Sequence, residues 1–527
     1  MKLLKIGAAM LVTLALATGC APASEEGATE EATARVHLYQ QPQGFNTLAP
    51  TGGADEMISQ LQFQSLAQLY PGGEITPELA ESWEIAPDAK SITFTLAADL
   101  KWSDGEPLTA EDVVFSYNLY ANPTTGSYYS GNLAGISGAA DVAAGTATEL
   151  SGITAPDDRT VTIAFDEPNA AALSTLTGFG ARILPAHKLE DVALDALSTS
   201  EFFKSPDVGS GPYVFSEWVN DDLVKFAPNT SFRVTPALDA VFAQFMTSDA
   251  AVAALQAGDL DAVQLQASDV ADLAGGDYDI ERSSPTSFRA FYSALDSGKL
   301  ADSRVRQAIM YAIDRKALTE NLYGGEATVI DTIALNPAWA VPSGLNDYAY
   351  DPEKATDLLE EAGWDFDTLV RLEVVPGDRD RDNALTIIAE QLNKVGIKAE
   401  VTPYEAAAIG EAVGNRDFDM LLSGGNLAPD PSFLSDVLTC AQVETGGNIS
   451  GYCNPELDAL LAEGKATLGD DQRAPIYAEA QAIINEEVPI LPMYATNTIF
   501  AVSKKLSGFI PSSTPFLGAA DWKIVTP

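Results

Sequence analysis

Strand-like and helix-like hydrophobic patterns alternate along this chain, and that alternation limits the fold more than any other feature. Ser91 to Leu96 alternates polar and apolar residues, with Ile92, Phe94 and Leu96 on one face, as a half-buried strand does. A turn, Ser103-Asp104-Gly105-Glu106-Pro107, follows. Thr109 then opens a helix, with Asp112 at the third helical position of a capping box. Arg35–Leu38 and Val161–Phe165 are further strand patterns, and Leu260–Val263 opens another after a helix over Ala250–Ala257. Near-helical spacing of Met57, Leu61, Leu66 and Leu69 predicts one helix over Ala54–Leu69. Val305, Ile309, Ala312 and Ile313 predict another, running unbroken from Ser303 to Leu318. Asp351-Pro352 is a cap followed by a first-turn proline, and that helix stops at Gly363. Ala384–Val395 is expected as a helix and Ile397–Thr402 as the strand after it. With 527 residues and both halves patterned this way, the chain is expected to be mixed α/β with more than one lobe.

The first twenty residues read as an address. Lys2 and Lys5 precede an apolar run from Ile6 to Ala17, then Thr18-Gly19-Cys20. A basic start, a short apolar stretch and a small-residue cleavage site make a secretory signal. The run falls short of the roughly 20 residues that span a bilayer. Leu16-Ala17-Thr18-Gly19-Cys20 resembles a bacterial lipobox, with its leucine one place further from the cysteine than usual. The resemblance implies a signal over residues 1–19 and Cys20 as the lipid-modified first residue; an ordinary cleaved signal with a chance cysteine is the alternative. Residues 20–34 carry no large apolar side chain and read as a flexible acidic tether. The chain is therefore expected to be exported. It would sit in the periplasm or on the outer face of the cytoplasmic membrane, touching lipid through its N-terminal anchor only. In an oxidising compartment, Cys440 and Cys453 are expected to pair across a loop-like stretch holding Gly446, Gly447 and Gly451. A reactive thiol pair is the weaker reading, since the spacing is not Cys-x-x-Cys.

Charge removes whole classes of function. The chain has 75 Asp and Glu against 30 Lys and Arg, a net charge of −45. A nucleic-acid partner needs a basic face, which this composition does not supply. The acids are scattered, so they read as a solvated surface. Two histidines, His37 and His187, exclude a histidine-rich metal centre, and no metal or cofactor site is read. Gly-x-Ser-x-Gly, Ser-x-x-Lys, His-Glu-x-x-His and the glycine motifs of nucleotide sites are all absent. A carboxylate pair for glycoside hydrolysis stays open among so many acids, which keeps a tethered extracellular hydrolase as an alternative to a binding protein.

Five stretches carry a resemblance. Pro77-Glu78-Leu79-Ala80-Glu81-Ser82-Trp83-Glu84 leads through Leu100-Lys101-Trp102-Ser103-Asp104-Gly105 to Asp112-Val113. Ile183-Leu184-Pro185-Ala186-His187 and Gly209-Ser210-Gly211-Pro212-Tyr213 follow in order. Arg304-Val305-Arg306-Gln307-Ala308-Ile309 with Ala312-Ile313-Asp314-Arg315, and Tyr452 with Asn454-Pro455-Glu456-Leu457-Asp458, complete the set. Together they resemble the extracellular solute-binding protein family 5, the dipeptide-, oligopeptide- and nickel-binding class of ABC importers. The cysteine spacing is similar to that of its dipeptide branch. The resemblance implies a two-lobed periplasmic-binding-protein-like fold (type II, cluster C) with an extra inserted domain. Lobe I would comprise 35–62, 205–290 and 495–527, the inserted domain 63–204, and lobe II 291–494. It implies a monomer without a cofactor that captures a peptide or peptide-like solute between its lobes and delivers it to ABC permease subunits. An oligosaccharide is the alternative solute.

The resemblance also implies candidate binding residues. Peptide binders of the family hold the ligand's α-amine with an aspartate; Leu427 stands at that place, with Asn426 or Asp430 as replacements. Phe45-Asn46 is similar to the family's N-terminal Gly-Phe-Asn segment, Tyr39 ends the first strand beside it, and Thr51 falls where a cleft-lining threonine stands. Arg379 and Arg381 lie in the loop Gly377–Asp382, where the dipeptide branch carries a carboxylate-binding arginine. Two readings are open there: a guanidinium fork for an anion, or a salt-bridge cluster with Asp378, Asp380 and Asp382. Trp339, in a proline-bounded loop, either stacks on the solute or packs.

Overall fold

The computed structural model describes residues 31–177, 182–219, 222–273, 275–445 and 447–525. The signal expected over residues 1–19 and Cys20 lie outside the described residues. The body starts at Ala32, whose amide donates to the Asp239 carboxylate at 2.9 Å. The first strand, Thr33–Leu38, buries Ala34, so residues 33 and 34 belong to the folded body and not to the tether expected over 20–34.

Eleven strands form one sheet. In its first half Thr33–Leu38 pairs in parallel with Ala240–Phe245, and Leu223–Pro228 and Tyr213–Val219 continue outward by antiparallel pairing. In its second half Met420–Asn426, Leu369–Val374 and Lys398–Pro403 are parallel neighbours in that order. Two long antiparallel strands, Tyr278–Ser293 and Ile490–Ser503, run through the middle. Each belongs to both halves: Ile490–Ser503 pairs with Ala262–Leu265 on one side, and Tyr278–Ser293 pairs with Met420–Asn426 on the other. Separate apolar cores back the halves, one around Val36, Phe226 and Val241, the other around Val370, Leu372 and Met420. The result is two lobes of mixed α/β structure joined by two strands. The expected lobe boundaries at 290/291 and 494/495 fall inside these strands, because continuous pairing crosses them.

A segment between helix Gly53–Gln62 and strand Tyr213–Val219 builds its own antiparallel sheet, in the order Ala80–Ile85, Ser91–Leu96, Thr160–Ala164, Ile153–Asp157. Helix Ala110–Ala121 packs on it and opens as expected, the Thr109 amide donating to the Asp112 carboxylate at 2.9 Å. This segment shares one apolar core with the first half of the large sheet. Its entry and exit pass very close: a Cβ on Gly211 would lie 2.0 Å from the Leu61 carbonyl oxygen, so only glycine fits.

Three helices differ from expectation. The helix expected over Ala54–Leu69 ends at Gln62; Phe63 turns extended, and Ala67–Leu69 becomes a strand paired with Ile75–Pro77. The helix expected over Ser303–Leu318 is two, Ser303–Ala312 and Arg315–Tyr323. Asp314 breaks it by accepting from the Ala317 amide at 2.9 Å, a new N-cap. The helix expected from Ala384 starts at Arg379, because Asp378 caps it through the Arg381 amide at 3.1 Å. The stretch read as a loop is therefore a helical first turn, and its two arginines leave it at different angles. Cys440 and Cys453 are joined, with Sγ–Sγ 2.08 Å.

Candidate functional site: the cleft along the two long strands

Pairing between the two long strands slips at three places, between Arg282 and Pro285, Pro285 and Ser287, and Arg289 and Ala290. Proline has no N–H to give to a ladder, so an irregularity around Pro285 follows from the sequence. Side-chain hydroxyls take over part of the pairing: Thr286 and Thr498 lie 2.7 Å apart, as do Ser287 and Thr496, and the Ser283 hydroxyl accepts from the Thr498 amide at 2.9 Å. The neighbouring strand ends here, with Asn426 opposite Ser287. A Cβ on Gly424 would lie 1.9 Å from the Phe288 carbonyl oxygen, which only a glycine avoids. Beyond the strand, the Leu427 amide donates to the Thr286 carbonyl at 2.8 Å and holds Asn426–Pro429 along the same edge.

Two spaces open at this slipped region and share Thr286, Asn426 and Ser513. The smaller, about 230 Å³, runs toward the inserted segment and is walled by Leu69, Tyr70, Pro71, Leu427 and Leu517, with Gln60, Ser65 and Arg182 among its polar groups. The other, about 560 Å³, is open and polar, lined by Tyr39, Gln264, Ser287, Arg289, Arg381 and Ser423 among others. Their volumes together suit a solute of several residues rather than a single ion.

The charged lining residues differ in how they are held. Arg289 donates one Nη to the Phe288 carbonyl at 3.0 Å and lies 3.5 Å from Asp378. Arg381 donates to the Val375 carbonyl and lies 3.6 Å from Asp382. The two side chains keep 22% and 18% of their surface exposed, so neither is sealed off. Arg182 donates to the Ser65 hydroxyl at 3.2 Å and approaches Glu78 to 4.0 Å. Burial raises the Glu78 pKa, against the pull of Arg182. Burial, with Glu56 and Asp55 nearby, likewise raises the Tyr39 phenol above its usual range.

The structure brings Tyr39, Arg381 and Asn426 to the cleft and places the other sequence candidates elsewhere. Phe45 is wholly buried, its ring packed edge-on against Phe215 and Phe226, so it has no surface to offer a solute. Asn46 is occupied locally: its side chain donates to the Ser198 carbonyl and accepts from the Leu48 and Ala49 amides. Thr51 bonds through amide and hydroxyl to Asp55 at 2.9 and 2.7 Å. Asp430 is buried and clamped by Arg473 through two 2.7 Å bonds, so it cannot replace the amine anchor. Trp339 packs: the Arg473 guanidinium lies 5.1 Å over its ring and Tyr477 lies beside it. Arg379 turns away from the cleft to Ser268 and Asp269. Neither histidine lines a cleft space; His37 faces the Met246 carbonyl and His187 faces Asp104, each at 3.0 Å. Arg182, Arg289, Thr286 and Ser287 were not among the sequence candidates. Alternation in Phe288-Arg289-Ala290 carried a signal for Arg289: two apolar neighbours on the core face force it to the other.

Among known proteins, the profile of the bacterial extracellular solute-binding proteins, family 5, matches residues 74–444. The chain is 30% identical to a candidate ABC transporter peptide-binding protein of Brucella ovis, over 89% of this chain and 88% of that protein. It is 27% identical to the dipeptide-binding protein of Escherichia coli, over 89% and 90% of the two chains. The solved structure of the ABC transporter substrate-binding protein CtaP from Listeria monocytogenes superposes with a TM-score of 0.81 at 24% identity, covering 94% of this chain and all of the other.

Proposed function

Since the chain belongs to the bacterial extracellular solute-binding proteins, family 5, we propose that it is the receptor of an ABC importer. It captures a peptide or peptide-like solute between its lobes and presents it to membrane permease subunits. One observation carries this reading: two adjoining spaces meet where the two long strands that run through both halves slip in register. A solute filling both spaces touches both lobes and the strands between them, so occupancy favours a closed arrangement. Nothing in this reading breaks a bond in the solute. Trp339, a candidate for stacking on a sugar, packs against Arg473 and Tyr477 instead, which weighs against the oligosaccharide alternative. Cys20 anchors the chain by lipid outside the membrane, and among the described residues no helix is long and apolar enough to cross one.

A thermal-shift screen of peptides, oligosaccharides and metal chelates tests this. A ligand at 100 times its Kd adds about 2.7 kcal/mol of stability. A rise in melting temperature with peptides, and an unchanged peptide afterwards by mass spectrometry, is expected. A shift with oligosaccharides alone, or hydrolysis of the ligand, would overturn it.

A further inference from the structure

The chain carries more than twice as many acids as bases, 75 to 30. A surface patch drawn from it at random is acidic. Yet among the described residues that line the two cleft spaces there is no Asp or Glu, while three arginines are present: Arg182 in the smaller space, Arg289 and Arg381 in the larger. The uncharged lining is rich in donors, with Ser65, Gln68, Thr286, Ser287, Ser423, Asn426 and Thr498.

From this inversion of charge we infer that the solute is an anion lacking a free ammonium group, with one negative group against Arg289 and Arg381 and a second toward Arg182. The inference rests on the receptor reading above and specifies its substrate class. An ammonium group placed in the cleft would meet no carboxylate among the described lining residues and would be desolvated without a partner there. A carboxylate would find charge-assisted donors at either end. The acids that approach those arginines are themselves held by backbone amides. Asp378 caps a helix, Asp382 accepts from the Gly377 amide at 3.0 Å, and Glu78 accepts from the Ser65 amide at 2.7 Å. None of the three reaches the lining. They orient the guanidinium groups without closing them to a ligand. Between the charged ends, Thr286, Asn426 and Ser513 present neutral hydrogen-bonding groups suited to an amide-linked segment.

The test is calorimetric titration of the full chain in detergent with four probes: N-acetyl-Ala-Glu (two negative charges), N-acetyl-Ala-Gln (one), Ala-Gln (a zwitterion) and Ala-Lys (a net cation). Pimelate, an anionic non-peptide, is the fifth. Affinity is expected to fall in the order given for the four peptides, by about tenfold from the first to the third. It should weaken several-fold between about 50 and about 500 mM KCl, a measurement that needs no variant. The double variant Arg289→Gln, Arg381→Gln should abolish the preference for the second charge. Tighter binding of Ala-Gln or Ala-Lys than of the acetylated acids would overturn the inference and leave the receptor reading standing. Binding of pimelate alone would uphold the anionic class and overturn the peptide reading. Binding of none of the five would overturn both.

Discussion

Two arginines, Arg473 in the second lobe and Arg289 on a strand that joins the lobes, each sit beside an aspartate, and they serve opposite ends. Arg473 meets Asp430 through two 2.7 Å bonds, gives its Nε to the Gly464 carbonyl at 3.1 Å, and is buried under Trp339 and Tyr477. Every strong direction of that guanidinium is used, so it belongs to the fold. Arg289 lies 3.5 Å from Asp378, gives one bond to a backbone carbonyl, and stays partly exposed on the cleft. Its remaining donors face a space a solute can enter. Residue type and a neighbouring acid do not distinguish the two. What distinguishes them is how many donors the protein has already satisfied.

The largest expected effect comes from opening the closed pair. Asp430→Ala leaves Arg473 buried without a counter-charge and should cost about 3–5 kcal/mol in a urea unfolding titration, with solute affinity in the folded fraction unchanged. A small stability loss accompanied by lost binding would erase the contrast. A second buried carboxylate sharpens it through pH. Glu373 is fully buried between Arg371 and the amides of Asp419 and Met420, and burial pushes its pKa up to about 7, with Arg371 and those amides pulling the other way. Its folded pKa lies above the ordinary glutamate value, so the folded state holds the proton more tightly than the unfolded one. Its stabilising contribution is complete below about pH 4.5 and drains away as pH rises through about 7. The urea midpoint should therefore fall over that window in the native protein and fall less in Glu373→Gln. An identical pH profile in both would show that Glu373 titrates normally.

A third variant probes the slipped strands themselves. Gly424→Ala drives a Cβ onto the Phe288 carbonyl and should cost about 1–3 kcal/mol through strand displacement, with affinity falling as well because Asn426 and Ser287 move with the strands. A loss of stability without any change in affinity would separate the slip from the site. The smallest stability effect belongs to the open pair. Arg289→Gln should change unfolding free energy by less than about 1 kcal/mol.

The fold was legible where local chemistry decides it. The capped helix at Thr109, the strand Ser91–Leu96 and the helix after Asp351 need only their own residues to specify them. Reading failed where distant backbone decides. Ala67–Leu69 keeps helical spacing but becomes a strand because Ile75–Pro77 offers its backbone a partner. Asp314 divides a helix that periodicity alone would continue. The site was less legible for the same reason. Asp430 looks like a ligand anchor until Arg473, far along the chain, is found to hold it. Arg379 looks like the family's carboxylate-binding residue until the helical first turn points it at Asp269. Arg182 carries no local mark, and only the folded chain brings it to the same cleft as Arg289.

The most direct measurement is a pair of melting curves for Arg289→Gln, without and with N-acetyl-Ala-Glu, beside the same pair for the native chain. Without ligand the variant should melt within about 2 °C of the native protein, and the ligand-induced rise seen in the native chain should be lost or sharply reduced. A variant that melts well below the native protein yet keeps the full ligand-induced rise would contradict the assignment, placing Arg289 with Arg473 among the residues that hold the fold.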